Sequence, residues 1–355
     1  MSHALNKNCS LVSKDVSTWV KGILIFLIVL GHNMAFTCPL EKWGVMSYLY
    51  TFHIHIFFLL PFLYGAKKFS WKQTGIYFFR FYWPFCVFLI MIALVYGCAN
   101  DFRNWSFNAV LHAFLLCNAE DLRMFSGVSM LWFLPAIMMT LILRDCYYSA
   151  NNIFRCMLLF FSALANIYFV LVLVNANFQK LPYDNLPMGA FSAIRYLMLG
   201  VIIRKLMSFS HEKSFVWVIL ICLLIFGLGT YIYFTEVAMC MNKEVPLFHI
   251  LQIMMPIPVL IVLCCLSDSF KQRSSLFMPI GHESMVIYLV SPFIGYAAYY
   301  GLRLVFFDNW LAGVLVQPII IFLSLVIAKK LISGKIRNIL LPRSFSDFKS
   351  TFTNI

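Results

Sequence analysis

The sequence predicts an all-α polytopic membrane protein of about ten transmembrane helices, and three observations predict it. The chain of 355 residues is 62% hydrophobic and only 12% charged, with 37 Phe and 17 Tyr. A soluble domain carries about 25% charged residues. Apolar stretches near the roughly 20 residues needed to cross a bilayer recur along the whole length. Lys and Arg then alternate with those stretches. Of the 27, six fall on one side (Lys42, Arg103, Arg123, Lys180, Lys243 and Arg303), Arg195 lies inside the sixth stretch, and the other twenty fall on the opposite side. Cytoplasmic loops carry the excess of Lys and Arg, so this division places both termini in the cytoplasm. The net charge of +13 is therefore a topology signal with an affinity for anionic lipid heads, and no nucleic-acid partner is implied.

The ten spans are 19–36, 45–66, 76–98, 128–146, 153–175, 187–206, 214–234, 246–266, 279–301 and 309–331. The segment 106–117 is apolar but too short to cross, and is expected to be re-entrant or interfacial. Residues 332–355 form a basic cytoplasmic tail, and no stretch outside the membrane is long enough for a soluble domain. The whole chain, 1–355, reads as one integral-membrane domain, with about 19–331 embedded. No small-residue cleavage site follows the first span, so it is read as retained and not as a signal peptide. Eleven Cys show no metal-ligand spacing. A disulfide among the outer-side Cys38, Cys117 and Cys240 is left open by their spacing.

The polar residues that the spans retain carry the chemistry, because ionisable groups inside a bilayer are costly and mark function. The first span runs from Lys21 to His32 through apolar side chains and two glycines. Eleven residues put the two on nearly one face, roughly 16 Å apart along the axis. On the second span, His53 and His55 stand about 200° apart and cannot both face one cavity. Counting along each helix sets His53 roughly 12 Å and His32 roughly 6 Å below the outer surface, so they share the outer half. Arg80, in the third span, lies near the level of Lys21. Trp132 stands near the outer surface in the fourth span, and Gly281-His282-Glu283-Ser284 opens the ninth from the inside.

Two layers emerge, with Lys21 and Arg80 inside and His32, His53 and Trp132 further out. Inner cations suit phosphates, and a neutral imidazole in a low-dielectric pocket suits a general base acting on a hydroxyl. Acyl-CoA has the matching shape, a charged nucleotide at one end and a thioester at the other. Arg195 is read either as a contact to the diphosphate or as a partner of Glu283. His55, His112, His249 and His282 are read as structural.

These residues resemble acyltransferase family 3, the integral-membrane group that O-acylates carbohydrates in bacteria. Lys21-Gly22 to Gly31-His32 matches its Arg/Lys-x10-His pattern, and Phe52-His53 to Phe57-Phe58 its Phe-His-x-x-x-Phe-Phe pattern. Arg80 to Pro84-Phe85 resembles its Arg-x-x-x-Pro-Tyr stretch. Leu131-Trp132-Phe133-Leu134-Pro135 matches its Leu-Trp-Phe-Leu segment, and Gly281 to Ser284 with Tyr288 its Gly-x-x-Ser stretch. Three positions depart: Thr18 stands where the family often has Asp, Pro61-Phe62-Leu63 replaces Ser-Gly-Tyr, and Ser291 replaces a His.

The resemblance implies transfer of an acetyl or other short acyl group from cytoplasmic acyl-CoA to a hydroxyl of a cell-surface or lipid-linked carbohydrate, in the bacterial inner membrane. His32 would be the base with help from His53; Lys21, Arg80 and Arg195 would hold the donor; Trp132, Glu283 and Ser284 would bind substrate. A covalent acyl-histidine relay is the variant, and the chemistry calls for no metal. The aromatic surface would allow a homodimer. A saccharide transporter or flippase is the competing reading, with Pro256 and Pro258 breaking the eighth span as its support; a non-catalytic membrane partner is the third.

Overall fold

The computed structural model describes residues 10–37, 40, 44–99, 105–117, 119–128, 130–174, 188–210, 215–238, 246–270, 276–303 and 310–353. Among them every regular element is helical. In chain order the long helices are α1 (Lys14–His32), α2 (Val45–Leu63), α3 (Trp71–Cys98), α4 (Met130–Ser149), α5 (Asn152–Val170), α6 (Met188–Ser210), α7 (Val216–Val237), α8 (Leu247–Ser267), α9 (Ser284–Arg303) and α10 (Trp310–Lys330).

Eight of them are long and apolar enough to cross a membrane. The other two, α6 and α9, are long enough at 23 and 20 residues but less apolar. Helix α6 carries Arg195, Arg204 and Lys205, while four tyrosines and Pro292 dilute α9. The apolar segment 106–117 contains a helix of nine residues, Phe107–Leu115, too short to span. Cys117 is a free, buried thiol bonded to the Phe114 carbonyl at 3.0 Å; Cys38 and Cys240 lie outside the described residues. The segment read as a basic stub folds into two further helices, α11 (Gly334–Leu340) and α12 (Phe345–Thr353).

Helix α1 starts where Ser13 accepts a hydrogen bond from the Val16 amide at 3.2 Å, a cap that satisfies one of the first free N–H groups. At its other end, the buried Asn33 donates to the Gly313 carbonyl and to Gln317, whose amide returns a bond to the Phe26 carbonyl. In lipid such polar pairs hold helices together because no water competes for them. The helix packs along α8, α9 and the short helix Phe277–His282. Against the last of these, two glycines allow backbone to meet backbone. A Cβ on Gly22 would lie 2.0 Å from the Phe277 carbonyl oxygen, and one on Gly281 1.8 Å from that of Thr18. The motif glycines at 22 and 281 are therefore the two faces of one close crossing, as small residues are in membrane helix pairs.

Helix α2 is broken in the middle. Residues 45–49 and 53–59 are α-helical, and Phe52 between them lies at φ −140°, ψ −39°. The Thr51 hydroxyl donates to the Tyr48 carbonyl at 2.6 Å, a local side-chain bond of the kind that competes with the helix ladder. Helix α3 contains a π-helical turn at Phe78–Tyr82. Pro84 can give no hydrogen bond to the Arg80 carbonyl, and its ring crowds that position, so the turn widens around Arg80. Helices α1 and α4 are 61% buried across their apolar windows whereas α5 and α7 are 17% buried; the first pair is central and the second faces lipid.

The crossing at Gly22 yields the first prediction. Gly22→Ala should lower the melting temperature in detergent, since overpacking of this kind costs about 1–3 kcal/mol. Gly75→Ala, with nothing within 4 Å of its new Cβ, should melt at or slightly above wild type. Equal melting of Gly22→Ala and wild type would contradict the crossing.

Candidate active site

The outer layer is built from the end of α1 and the break in α2. His32 Nδ1 lies 2.8 Å from the Ile28 carbonyl. A carbonyl only accepts, so Nδ1 carries the proton and Nε2 presents its lone pair. That lone pair accepts from the Tyr50 hydroxyl at 3.1 Å. The same logic holds for His53: its Nδ1 donates to the Leu49 carbonyl, which also accepts from the Phe52 amide at 3.3 Å where the helix breaks. His53 Nε2 is buried and has no hydrogen-bond partner, and it lies 3.9 Å from where a Cβ of Gly31 would be, one residue before His32.

The ring of Tyr50 sits 6.0 Å from that of His32 and 4.9 Å from that of His53. Both imidazoles thus meet at one tyrosine, His53 wholly buried and His32 only partly so. His55 bonds the Tyr196 hydroxyl of α6, on the opposite side of α2. Aromatic rings pack between α2, α4 and α6. Trp132 stacks on Phe58 at 6.0 Å, and Phe58 stacks on Tyr196 at 4.7 Å. Phe133 lies against Tyr288, whose hydroxyl donates to the Met130 carbonyl.

The inner layer forms where α2 ends. Lys21 Nζ stands 5.5 Å over the ring of Tyr64, and the charges of Lys21 and Arg80 are close enough to repel one another. Among the described residues no carboxylate pairs with either cation. The Tyr64 hydroxyl is buried and without a partner. Arg204 fixes this corner by donating to the Phe62 and Tyr64 carbonyls at 2.8 and 2.9 Å. Behind it, the buried Arg144 donates to Asp145 at 2.6 Å and to the Pro61 carbonyl at 2.8 Å, and Asp145 accepts from Tyr77 at 2.7 Å. This network ties the end of α2 to the start of α3, and so sets where Arg80 stands relative to Tyr64.

The structure brings His32 together with His53, and Lys21 together with Arg80, while Arg195 belongs elsewhere. Its guanidinium lies on the ring of Phe169, beside the Tyr196 that bonds His55. Arg204, nine residues or roughly 13 Å further along α6, is the arginine of that helix that reaches the inner layer. Glu283 pairs with Arg337 of α11 at 2.9 Å, and Ser284 begins α9. Thr18 faces Gly281 across the crossing and bonds back to the Lys14 carbonyl, so a packing contact occupies the position where the family often has Asp. Sequence reading did not single out Tyr50, Tyr64, Arg144 or Arg204. Tyr50 stands three residues before His53 and the arginines were counted only as topology signals, so the residues were visible and their partners were not.

The family model of an acyltransferase domain, acyltransferase family 3, matches residues 17–329. The chain belongs to that family. It is a membrane acyltransferase, and the matched stretch contains both layers. Neither a curated relative nor a solved structure matches the chain. No group of three or more possible metal ligands occurs among the described residues.

The network behind Tyr64 can be tested by unpairing it. Arg144 and Asp145 are 3% and 1% exposed, and removing one partner of a buried pair costs about 3–5 kcal/mol. Asp145→Ala should therefore destabilise the acyltransferase strongly in thermal melts. The double change Arg144→Met with Asp145→Leu should recover much of that loss. Full stability of Asp145→Ala would show that the pair holds nothing in place.

Proposed function

We propose that this acyltransferase moves an acetyl or other short acyl group from cytoplasmic acyl-CoA to a hydroxyl of a cell-surface or lipid-linked carbohydrate. The observation that carries the reading is the His32–Tyr50–His53 cluster. Two imidazoles, each with Nδ1–H spent on a backbone carbonyl, stand against the ring of Tyr50, and its hydroxyl meets His32 Nε2. A base must offer a lone pair within hydrogen-bond reach of the proton that it takes. Tyr50 holds the His32 Nε2 position until the acceptor hydroxyl takes its place.

The acceptor oxygen then bonds to the thioester carbonyl carbon as its proton passes to His32 Nε2. The tetrahedral intermediate collapses with cleavage of the C–S bond, and the departing sulfur takes the proton from the His32 imidazolium. An ester and free CoA result. His53, buried beside the reacting centre, orients the acceptor. Trp132 offers the sugar ring an aromatic face, and Ser284, at the start of α9, stands on the donor's side.

Lys21 and Arg80 neutralise the donor's phosphates at the inner mouth, where charge-assisted bonds are strongest. Arg195, at the level of His55, supports the pocket from behind through Tyr196. We further propose that α6 and α9 also cross the bilayer, giving ten spans with both termini in the cytoplasm of a bacterial inner membrane. The twenty-to-six division of Lys and Arg supports this orientation.

Purified enzyme given radiolabelled acetyl-CoA and the host's surface-glycan fraction should label the glycan. His32→Ala should lower the initial rate at least about 100-fold, the low end of what a general base supplies. Lys21→Gln should raise the KM for acetyl-CoA with little change in kcat. Transfer undiminished in His32→Ala would remove the histidine from the mechanism. If wild-type protein labels no glycan, the donor or acceptor assignment is wrong.

A further inference from the structure

The family match ends at residue 329, yet the chain beyond it is held firmly against the inner mouth. An ion pair, an indole hydrogen bond, two ring contacts and an apolar cluster dock it. Arg337 pairs with Glu283 at the start of α9. The Trp83 indole, at the inner end of α3, donates to the Ile339 carbonyl at 2.8 Å. Phe345 lies 5.4 Å from the ring of Phe79, and Phe348 lies 5.1 Å from that of Trp83. Leu340 and Leu341 pack with Val286, Ala328 and Ile332 at the ends of α9 and α10. A tail that served only as a topology signal would not need an indole hydrogen bond and an ion pair to hold it in place.

The docking also aims a charge. Phe79 directly precedes Arg80, and Arg343 stands two residues before the Phe345 that lies on Phe79. The buried Pro342 fixes the backbone just before Arg343, since its ring locks φ. Arg343 is exposed, and among the described residues no carboxylate pairs with it, with Arg80 or with Lys21. Arg80 and Arg343 are close enough to repel one another. Three cations with no carboxylate partner among the described residues, gathered by a segment that docks through contacts of its own, make a site for a multiply charged anion.

We propose that α11 and α12 form a strap that completes the donor site, with Arg343 as a third cation, beside Lys21 and Arg80, for the phosphates of acyl-CoA. The inference rests on the donor reading given above and adds to it a residue and an element outside the family match. An anionic lipid headgroup offers the same phosphate chemistry, so the test must separate the two sources.

Binding of radiolabelled acetyl-CoA to the purified full-length enzyme in neutral detergent provides the measurement, repeated with phosphatidylglycerol as competitor. Arg343→Gln should weaken acetyl-CoA binding about tenfold, the loss of one charge-assisted hydrogen bond. Arg343→Lys should restore part of it. Arg337→Gln, which releases the strap from Glu283, should weaken binding in the same direction, and Lys335→Gln should leave it unchanged. Wild-type affinity in Arg343→Gln, with affinity lost in Lys21→Gln, would overturn the strap and leave the donor site standing. An effect of Arg343→Gln on phosphatidylglycerol competition alone would also overturn it, assigning Arg343 to lipid. Failure of wild-type enzyme to bind acetyl-CoA would overturn the donor reading, and the strap with it.

Discussion

Gly22 and Gly281 let two backbones meet at the inner end of the bundle, and the polar architecture hangs from that meeting. Helix α1 carries Lys21 at one end of its buried face and His32 at the other. Where α1 lies against Phe277–His282, Lys21 is set over Tyr64, and His32 is brought near α9, with a Cβ on Gly295 3.8 Å from the His32 carbonyl. The same short helix delivers Glu283 to Arg337. A side chain larger than hydrogen at either glycine would separate α1 from its partner, and both layers would lose their common support. The requirement is steric, which is why one glycine sits beside Lys21 and the other in the short helix before α9.

A second constraint shapes the outer layer. Backbone carbonyls in lipid must find donors within the protein. At the break in α2 the Leu49 carbonyl takes the His53 side chain as well as the Phe52 amide, and the Ile28 carbonyl takes the other histidine. Both bonds fix a tautomer, so the free nitrogens are specified by the fold before any substrate arrives. One device serves both ends: satisfying a backbone oxygen also orients an imidazole. The inner layer works differently. There the backbone carbonyls of residues 61, 62 and 64 are taken up by Arg144 and Arg204, and among the described residues no carboxylate pairs with Lys21 or Arg80.

Much of this was legible in the sequence because hydrophobic length and helical pitch are one-dimensional. Counting depth along α1 and α2 set His32 and His53 at a shared level, and the structure places them on one tyrosine. The cations Lys21 and Arg80 were paired by the same count. Tertiary choices were not legible. Nothing in the local pattern says that Thr51 breaks α2, or that Tyr50 bridges the histidines. Period alone could not tell which arginine of α6 reaches the inner mouth, and Arg204 is the one that does. The tail looked like a charged stub because its apolar residues, Leu340, Phe345 and Phe348, are too few for a span-length window. Their partners Phe79 and Trp83 are more than 250 residues away.

The central claim is that charge and chemistry occupy separate layers of one track, joined by α1. The most direct test is a cryo-electron microscopy map of the enzyme with a non-hydrolysable acetyl-CoA analogue. The account predicts phosphate density against Lys21 and Arg80, with the acyl carbonyl beside His32 Nε2, roughly 16 Å further along the helix. Phosphate density on the outer side of the bundle, or an acyl group remote from His32, would contradict it.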